Sequence, residues 1–198
     1  MRGRSIVVWS LSLALLLACG SVASAAPPQE HSGFWIRIAV GAGSGKLTCF
    51  DCDGRRATGA VGHIALGGTL GQQLLVGVET NGWSKRRENV TANLYNIMAT
   101  ATFYPSASSG FFLKAGGGAA FSDNDFHEGA RTLTLDFGHG FGVVAGAGYD
   151  VRIRRNVSIT PAASFWYGRD SPTTLFSDPL SFGWRHNVVD FTVGITFH

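Results

Sequence analysis

The sequence predicts an all-β fold: a single eight-stranded antiparallel up-and-down transmembrane β-barrel. Three observations carry that reading. The last residues, Val188 to His198, alternate Val189, Phe191, Val193, Ile195 and Phe197 with Asp190, Thr192, Gly194 and Thr196. Such alternation over about ten residues is the length and pattern of a tilted strand crossing a bilayer. Seven further runs with the same period precede it. The first residues, in turn, have the layout of an export signal.

That N-terminal segment begins with Arg2 and Arg4, continues through an apolar core from Ile6 to Ala18, and ends on the small-x-small site Ala23-Ser24-Ala25. It predicts a signal peptide over residues 1–25, with 26–198 as the barrel domain. Leu16-Leu17-Ala18-Cys19 also fits a lipoprotein cleavage site, so lipidation of Cys19 stays open. The whole chain has 16 Lys and Arg against 13 Asp and Glu; losing Arg2 and Arg4 leaves 14 against 13. A nearly neutral chain gives no footing for nucleic acid. Its 27 glycines, abundant threonines and aromatics and two methionines are an all-β composition, and no second apolar run is long enough for a membrane helix.

The eight runs are Phe34–Ala42, Thr58–Leu70, Leu74–Trp83, Thr91–Tyr104, Gly110–Phe121, Thr134–Asp150, Val157–Gly168 and Val188–His198. The connections after the second, fourth and sixth are short, and the others are longer. An even count with short turns at one end and long loops at the other is the pattern of outer-membrane barrels, and it puts both termini on the periplasmic side. In the seventh run Val157, Ile159, Pro161, Ala163 and Phe165 alternate with Ser158, Thr160, Ala162, Ser164 and Trp166. Phe103-Tyr104, Tyr149 and Phe197 end descending runs and are expected in one aromatic girdle; Trp83, Trp166, Tyr167 and Trp184 are expected in the other.

The segments LGGTLGQQLLVGVETNGW, TATFYP, GAGYDVRIRRNVSITPAASFW and the terminal strand resemble the outer-membrane β-barrel domain family, the small OmpA/OmpX/Opa-like barrels of Gram-negative bacteria. The resemblance is one of pattern over the whole exported chain. It implies an outer-membrane location, lipid as surroundings, a monomer, and a structural or surface-interaction role through extracellular loops that bind a host or cell-surface ligand. His198 after the terminal aromatic departs from the commonest ending.

The lumen of such a barrel is just wide enough to be filled by side chains. Arg37, His63, Glu79, Lys114 and Asp190 fall on inward positions of five runs. Charges buried there must pair, so Arg37, Glu79, Lys114 and Asp190 are expected to form an interior charge network that leaves no open pore. Cys49 and Cys52 lie in the first long loop and, in an oxidising compartment, are a candidate disulfide. A zinc site would need partners from His127, His139 or His186, and none stands at metal-ligand spacing, so neither metal nor cofactor is expected. The His-x-Ser pair of barrels that deacylate lipid A is absent, and Asp123 to Glu128 is expected to be a solvated acidic loop. The basic stretch Arg152 to Arg155 is expected to be a turn at the periplasmic headgroups. No catalytic residue emerges. A membrane-embedded lipid hydrolase and a soluble lipocalin-like ligand barrel remain as alternatives, because alternation alone does not say which face is inside.

Overall fold

The computed structural model describes residues 31–48, 54–129, 131–170, 174–175, 178–179 and 183–198. The expected signal peptide, Cys19 and the candidate disulfide Cys49–Cys52 lie outside the described residues. Among the described residues there are eleven strands: β1 (Phe34–Thr48), β2 (Arg56–Gly71), β3 (Leu74–Arg87), β4 (Val90–Phe103), β5 (Phe111–Glu128), β6 (Arg131–Tyr149), β7 (Val151–Arg154), β8 (Val157–Asp170), β9 (Thr174–Leu175), β10 (Asp178–Pro179) and β11 (Arg185–Phe197). β1, β2, β3, β4, β5, β6, β8 and β11 form a closed antiparallel ring, sealed where β11 pairs with β1 and with β8. Closure leaves no sheet edge along the wall. β7 prolongs β6 past Asp150 and pairs with β8.

The ring puts its apolar side out. Val189, Phe191, Val193, Ile195 and Phe197 of β11 are exposed, and between them Val188, Asp190, Thr192 and Thr196 are buried. Ile38 and Val40, Ile64 and Leu66, Ile97 and Phe103, Leu113, and Phe141 and Val143 continue the outer belt. This is the reverse of a water-soluble ligand barrel and removes the lipocalin-like alternative.

Strand lengths depart from the expected ones at one end. The first run extends to Thr48, the fifth to Glu128, and the sixth and last begin at Arg131 and Arg185. The connections after β3 and β5 are therefore two-residue turns, with Glu88 at φ 54° and Gly129 at φ 60°, not the long loops expected. Positive φ suits the tight hairpin turns whose twist matches that of the flanking strands. Asp123 to Glu128 is consequently strand, paired with Arg131 to Asp136, and not a loop. Glycine obscured the extension of β1: Gly43 and Gly45 break the apolar rhythm, yet their inward faces are where Asp190, Val61 and the Trp83 indole pack.

The aromatic girdle also differs in part. Phe34, Phe103, Phe111, Tyr149 and Phe197 are exposed at the end where the described termini lie. Tyr104, Trp83, Trp166 and Trp184 are instead buried. Trp83 and Trp166 sit on the inward phase of their strands, where the indole N–H finds an acceptor: Gly43 O at 2.9 Å and Asp190 Oδ2 at 2.8 Å.

Candidate functional site

The inward residues form two polar clusters, one at mid-lumen and one at the terminus end. At mid-lumen, Lys114 Nζ lies 2.6 Å from Glu79 Oε1, and the same oxygen is 3.3 Å from His63 Nδ1. His63 Nε2 is 3.2 Å from Asp190 Oδ2, which also accepts from Trp166. The chain Lys114–Glu79–His63–Asp190–Trp166 thus links β5, β3, β2, β11 and β8 across the lumen. A neutral imidazole has one N–H; with a proton on each nitrogen the ring donates to both carboxylates. The cluster then balances two cations against two anions, the condition under which buried charge is tolerated.

Arg37 is not part of this chain. Its Nε donates to Thr196 Oγ1 at 2.9 Å, its Nη2 stands 3.7 Å from Asp150 Oδ1, and its guanidinium lies 4.5 Å from the Phe112 ring centroid. The four expected residues therefore divide: Glu79, Lys114 and Asp190 join through His63, while Arg37 belongs to the terminus-end cluster. Its register explains the division. Arg37 is opposite Ala65 and Thr196, near the end of the ring, whereas His63 is opposite Ala39 and Asn81.

At that end the centre is Asp150, which falls where β6 yields to β7. Tyr104 donates to it at 2.5 Å, Thr160 donates to its other oxygen, and His198 Nε2 lies 3.6 Å away. Burial pushes the Asp150 carboxyl up, but His198, Arg37, Thr160 and Tyr104 together hold it well below the usual range. His31 completes the cap: its ring packs 4.0 Å from Tyr104, and its Nδ1 is 3.3 Å from His198 Nδ1. Burial, then the neighbouring His198, pushes the His31 imidazole down to about 4. This grouping escaped the sequence reading because Asp150, Tyr104 and His31 come from strand ends and the segment before β1, while Thr160 reads as one more polar-phase residue of β8. Asp150 beside Tyr149 was a visible signal, a carboxylate on the last position of a descending run.

Towards the end opposite the described termini the lumen is packed by Val61, Trp83, Leu94, Met98, Val144, Trp166 and Val188. His186 is wedged here, its ring stacked 5.3 Å from Trp184 and its Nε2 3.2 Å from Asn96 Oδ1. His127 lies far along β5, 3.0 Å from Thr91 Oγ1 and 3.2 Å from Thr132 Oγ1, and His139 is exposed on β6. Among the described residues no group of three or more His, Cys, Asp or Glu is placed to hold a metal ion. The basic turn differs from its expectation: Arg154 and Arg155 are exposed, but Arg152 is buried and donates to Arg155 O.

A closed antiparallel ring, apolar outside and filled inside by paired charge, defines a small outer-membrane β-barrel. The chain belongs to the outer membrane protein beta-barrel domain family, whose model matches residues 12–163. β11, which closes the ring, lies beyond that match. Among solved structures, neisserial surface protein A superposes with a TM-score of 0.56 at 18% identity, covering 84% of this chain and 97% of its own. The attachment invasion locus protein Ail of Yersinia pestis gives 0.52 at 14% identity, with 84% and 99% covered. No curated protein matches the chain.

Proposed function

We propose that this is a closed, non-catalytic, monomeric barrel that works as a surface-interaction platform, with its termini in the periplasm and its opposite end outside the cell. The observation that carries this is a projecting sheet above a filled lumen. Pairing of β6 with β8 stops at Gly140–Asp170, and pairing of β2 with β3 stops at Ala60–Ser84. β3, β4, β5 and β6 continue together, to Arg87–Val90 and to Glu128–Arg131. This flap presents exposed Lys85, Arg86 and Arg87 along one edge and exposed Leu133 and Leu135 near the other. With the lumen blocked by Lys114–Glu79–His63–Asp190 and by the tryptophans, the flap is where chemistry meets the outside. Ail, similar in fold, was solved in complex with the heparin analogue sucrose octasulfate, and a cationic edge suits a polyanion of that class. A catalytic role finds no support at His63, whose two nitrogens both face carboxylates rather than a nucleophile.

The test is attachment of cells expressing the full chain to immobilised heparin. Replacing Lys85, Arg86 and Arg87 by Ser is expected to reduce retention at least tenfold while the protein keeps its folded, heat-modifiable mobility on gels. Unchanged retention would remove the flap from the reading, and conductance through the wild-type protein in planar bilayers would remove the closed lumen.

A further inference from the structure

One contact at the terminus end crosses the seam of the ring. His31 stands before β1 and His198 after β11, and those strands pair from Ile36 opposite Phe197 onwards. Both residues are anchored from outside the contact: the His31 backbone N–H donates to Gln72 Oε1 at 3.2 Å, and that of His198 donates to Asn156 O at 3.0 Å. Each is thus tied to a different turn, the one after β2 and the one after β7. Tyr104 lies against the His31 ring, with centroids 4.0 Å apart. The two imidazoles are inclined at 66° rather than stacked, and their Nδ1 atoms are 3.3 Å apart.

That spacing is at the long edge of hydrogen bonding. It matches the bite of a chelate: two imidazole nitrogens about 2.0–2.1 Å from a tetrahedral ion are about 3.3–3.4 Å from each other. The outer nitrogens fit the same reading. Neither Nε2 has a hydrogen-bond partner among the described residues, so each can carry its ring's proton and leave the Nδ1 lone pair free. His198 Nε2 then faces Asp150 Oδ2 at 3.6 Å, the carboxylate–imidazole pairing that orients metal-bound histidines. We infer that His31 and His198 form a two-imidazole clasp for a divalent transition-metal ion such as zinc or copper, joining the two ends of the ring across the β1–β11 seam. Two side chains are less than a full ligand set, and water at the barrel mouth supplies the remaining positions. The donors also decide the class of ion. Arg37, 3.7 Å from Asp150 Oδ1, already offsets that carboxylate, so charge alone offers little to a hard cation such as magnesium, whereas imidazole nitrogen suits the later transition metals. Without metal the contact is a hydrogen bond, one Nδ1 donating to the other. The clasp lies at the opposite end of the barrel from the flap and stands whatever the flap binds.

The experiment uses the untagged protein in neutral maltoside micelles, its thiols alkylated and its metal stripped with EDTA, titrated calorimetrically with zinc and, separately, with magnesium. Wild type is expected to bind one zinc ion per chain and to show no saturable uptake of magnesium. H31Q and H198Q, whose amides still hydrogen-bond but ligate poorly, are each expected to bind zinc at least tenfold more weakly, no less than the loss of an outer-shell partner costs. H127Q/H139Q, which removes the two histidines outside the lumen and the mouth, is expected to bind as wild type does. Zinc should also raise the urea unfolding midpoint of wild type and leave that of H31Q where it is, a difference that a merely weakened fold does not produce. No saturable zinc binding by wild type overturns the clasp. So does full affinity in either H31Q or H198Q, a loss in H127Q/H139Q as large as theirs, or a midpoint that zinc raises equally with and without His31. Magnesium binding as tight as zinc overturns the assignment to a transition metal.

Discussion

Mid-lumen and the terminus end both bury charge inside the ring, by different means. At mid-lumen, two carboxylates are balanced by Lys114 and His63, every member projecting from a strand, and the partners form a single chain across the barrel. At the terminus end, one carboxylate, Asp150, is surrounded by donors of several kinds: Tyr104, Thr160, Arg37 and His198. The first arrangement depends on matched charge and fails if any member is lost. The second depends on many hydrogen bonds to one ion, so it tolerates losing one and responds instead to the protonation of its surroundings.

The comparison is broken most severely at mid-lumen. Asp190→Ala removes the acceptor for both His63 and Trp166, and Glu79→Ala leaves Lys114 and His63 without their shared carboxylate. An uncompensated buried charge costs about 3–5 kcal/mol, so either variant is expected to fall sharply in urea unfolding from lipid vesicles. Glu79→Ala combined with Lys114→Met restores the balance in part. The double variant is expected to be more stable than Glu79→Ala alone; equal instability would mean that packing, not charge matching, holds the middle.

A smaller loss tests the same network through its packing. A Cβ on Gly59 would lie 2.7 Å from the Trp83 indole and 2.4 Å from Ser84 O, and one on Gly45 would lie 2.7 Å from the same ring. Gly59→Ala and Gly45→Ala are expected to cost about 1–3 kcal/mol each by overpacking. Because both press on one indole, they should be non-additive in a double-mutant cycle. At the terminus end, Tyr104→Phe deletes one of several hydrogen bonds to Asp150 and is expected to cost about 1.5–3 kcal/mol in the same urea experiment.

The two regions also differ in how far the sequence discloses them. His63, Glu79, Lys114 and Asp190 sit at inward positions of alternating runs, so the period of two alone marks them as lumen residues, and the need to pair follows. Which of them touch is set by the stagger between strands, which no single strand encodes; that is why Arg37 was expected among them. The Asp150 cluster draws on β4's end, the β6–β7 break, His31 before β1 and His198 after β11, positions where periodicity has ended. The tryptophans show the same limit from the other side. Trp166 lies on the polar phase of its strand, and that phase outweighs the preference of indoles for interfaces because Asp190 supplies an acceptor within the lumen.

The smallest effect is the one only the terminus end can show, a dependence on acid. His31 faces Tyr104, His198, Asp150, Arg37 and Arg152, and burial with the His198 charge outweighs the pull of Asp150 to hold its pKa at about 4. The unfolded chain, with an ordinary imidazole near 6.5, binds this proton more readily than the folded one. Stability from His31 is therefore complete above about pH 6.5 and is lost as pH falls towards 4. At pH 4.5 the folded ring is still above its own pKa of about 4, so the loss down to that pH is expected to be about 1–3 kcal/mol, short of the full linkage value. The check is urea unfolding of wild type and His31→Gln at pH 7.5, 5.5 and 4.5. His31→Gln should cancel the acid loss in that window while the mid-lumen variants keep it. A wild type that loses no more than His31→Gln between pH 7.5 and 4.5 would show that the cap at this end is held by Asp150 and its donors alone, with His31 a passive lid.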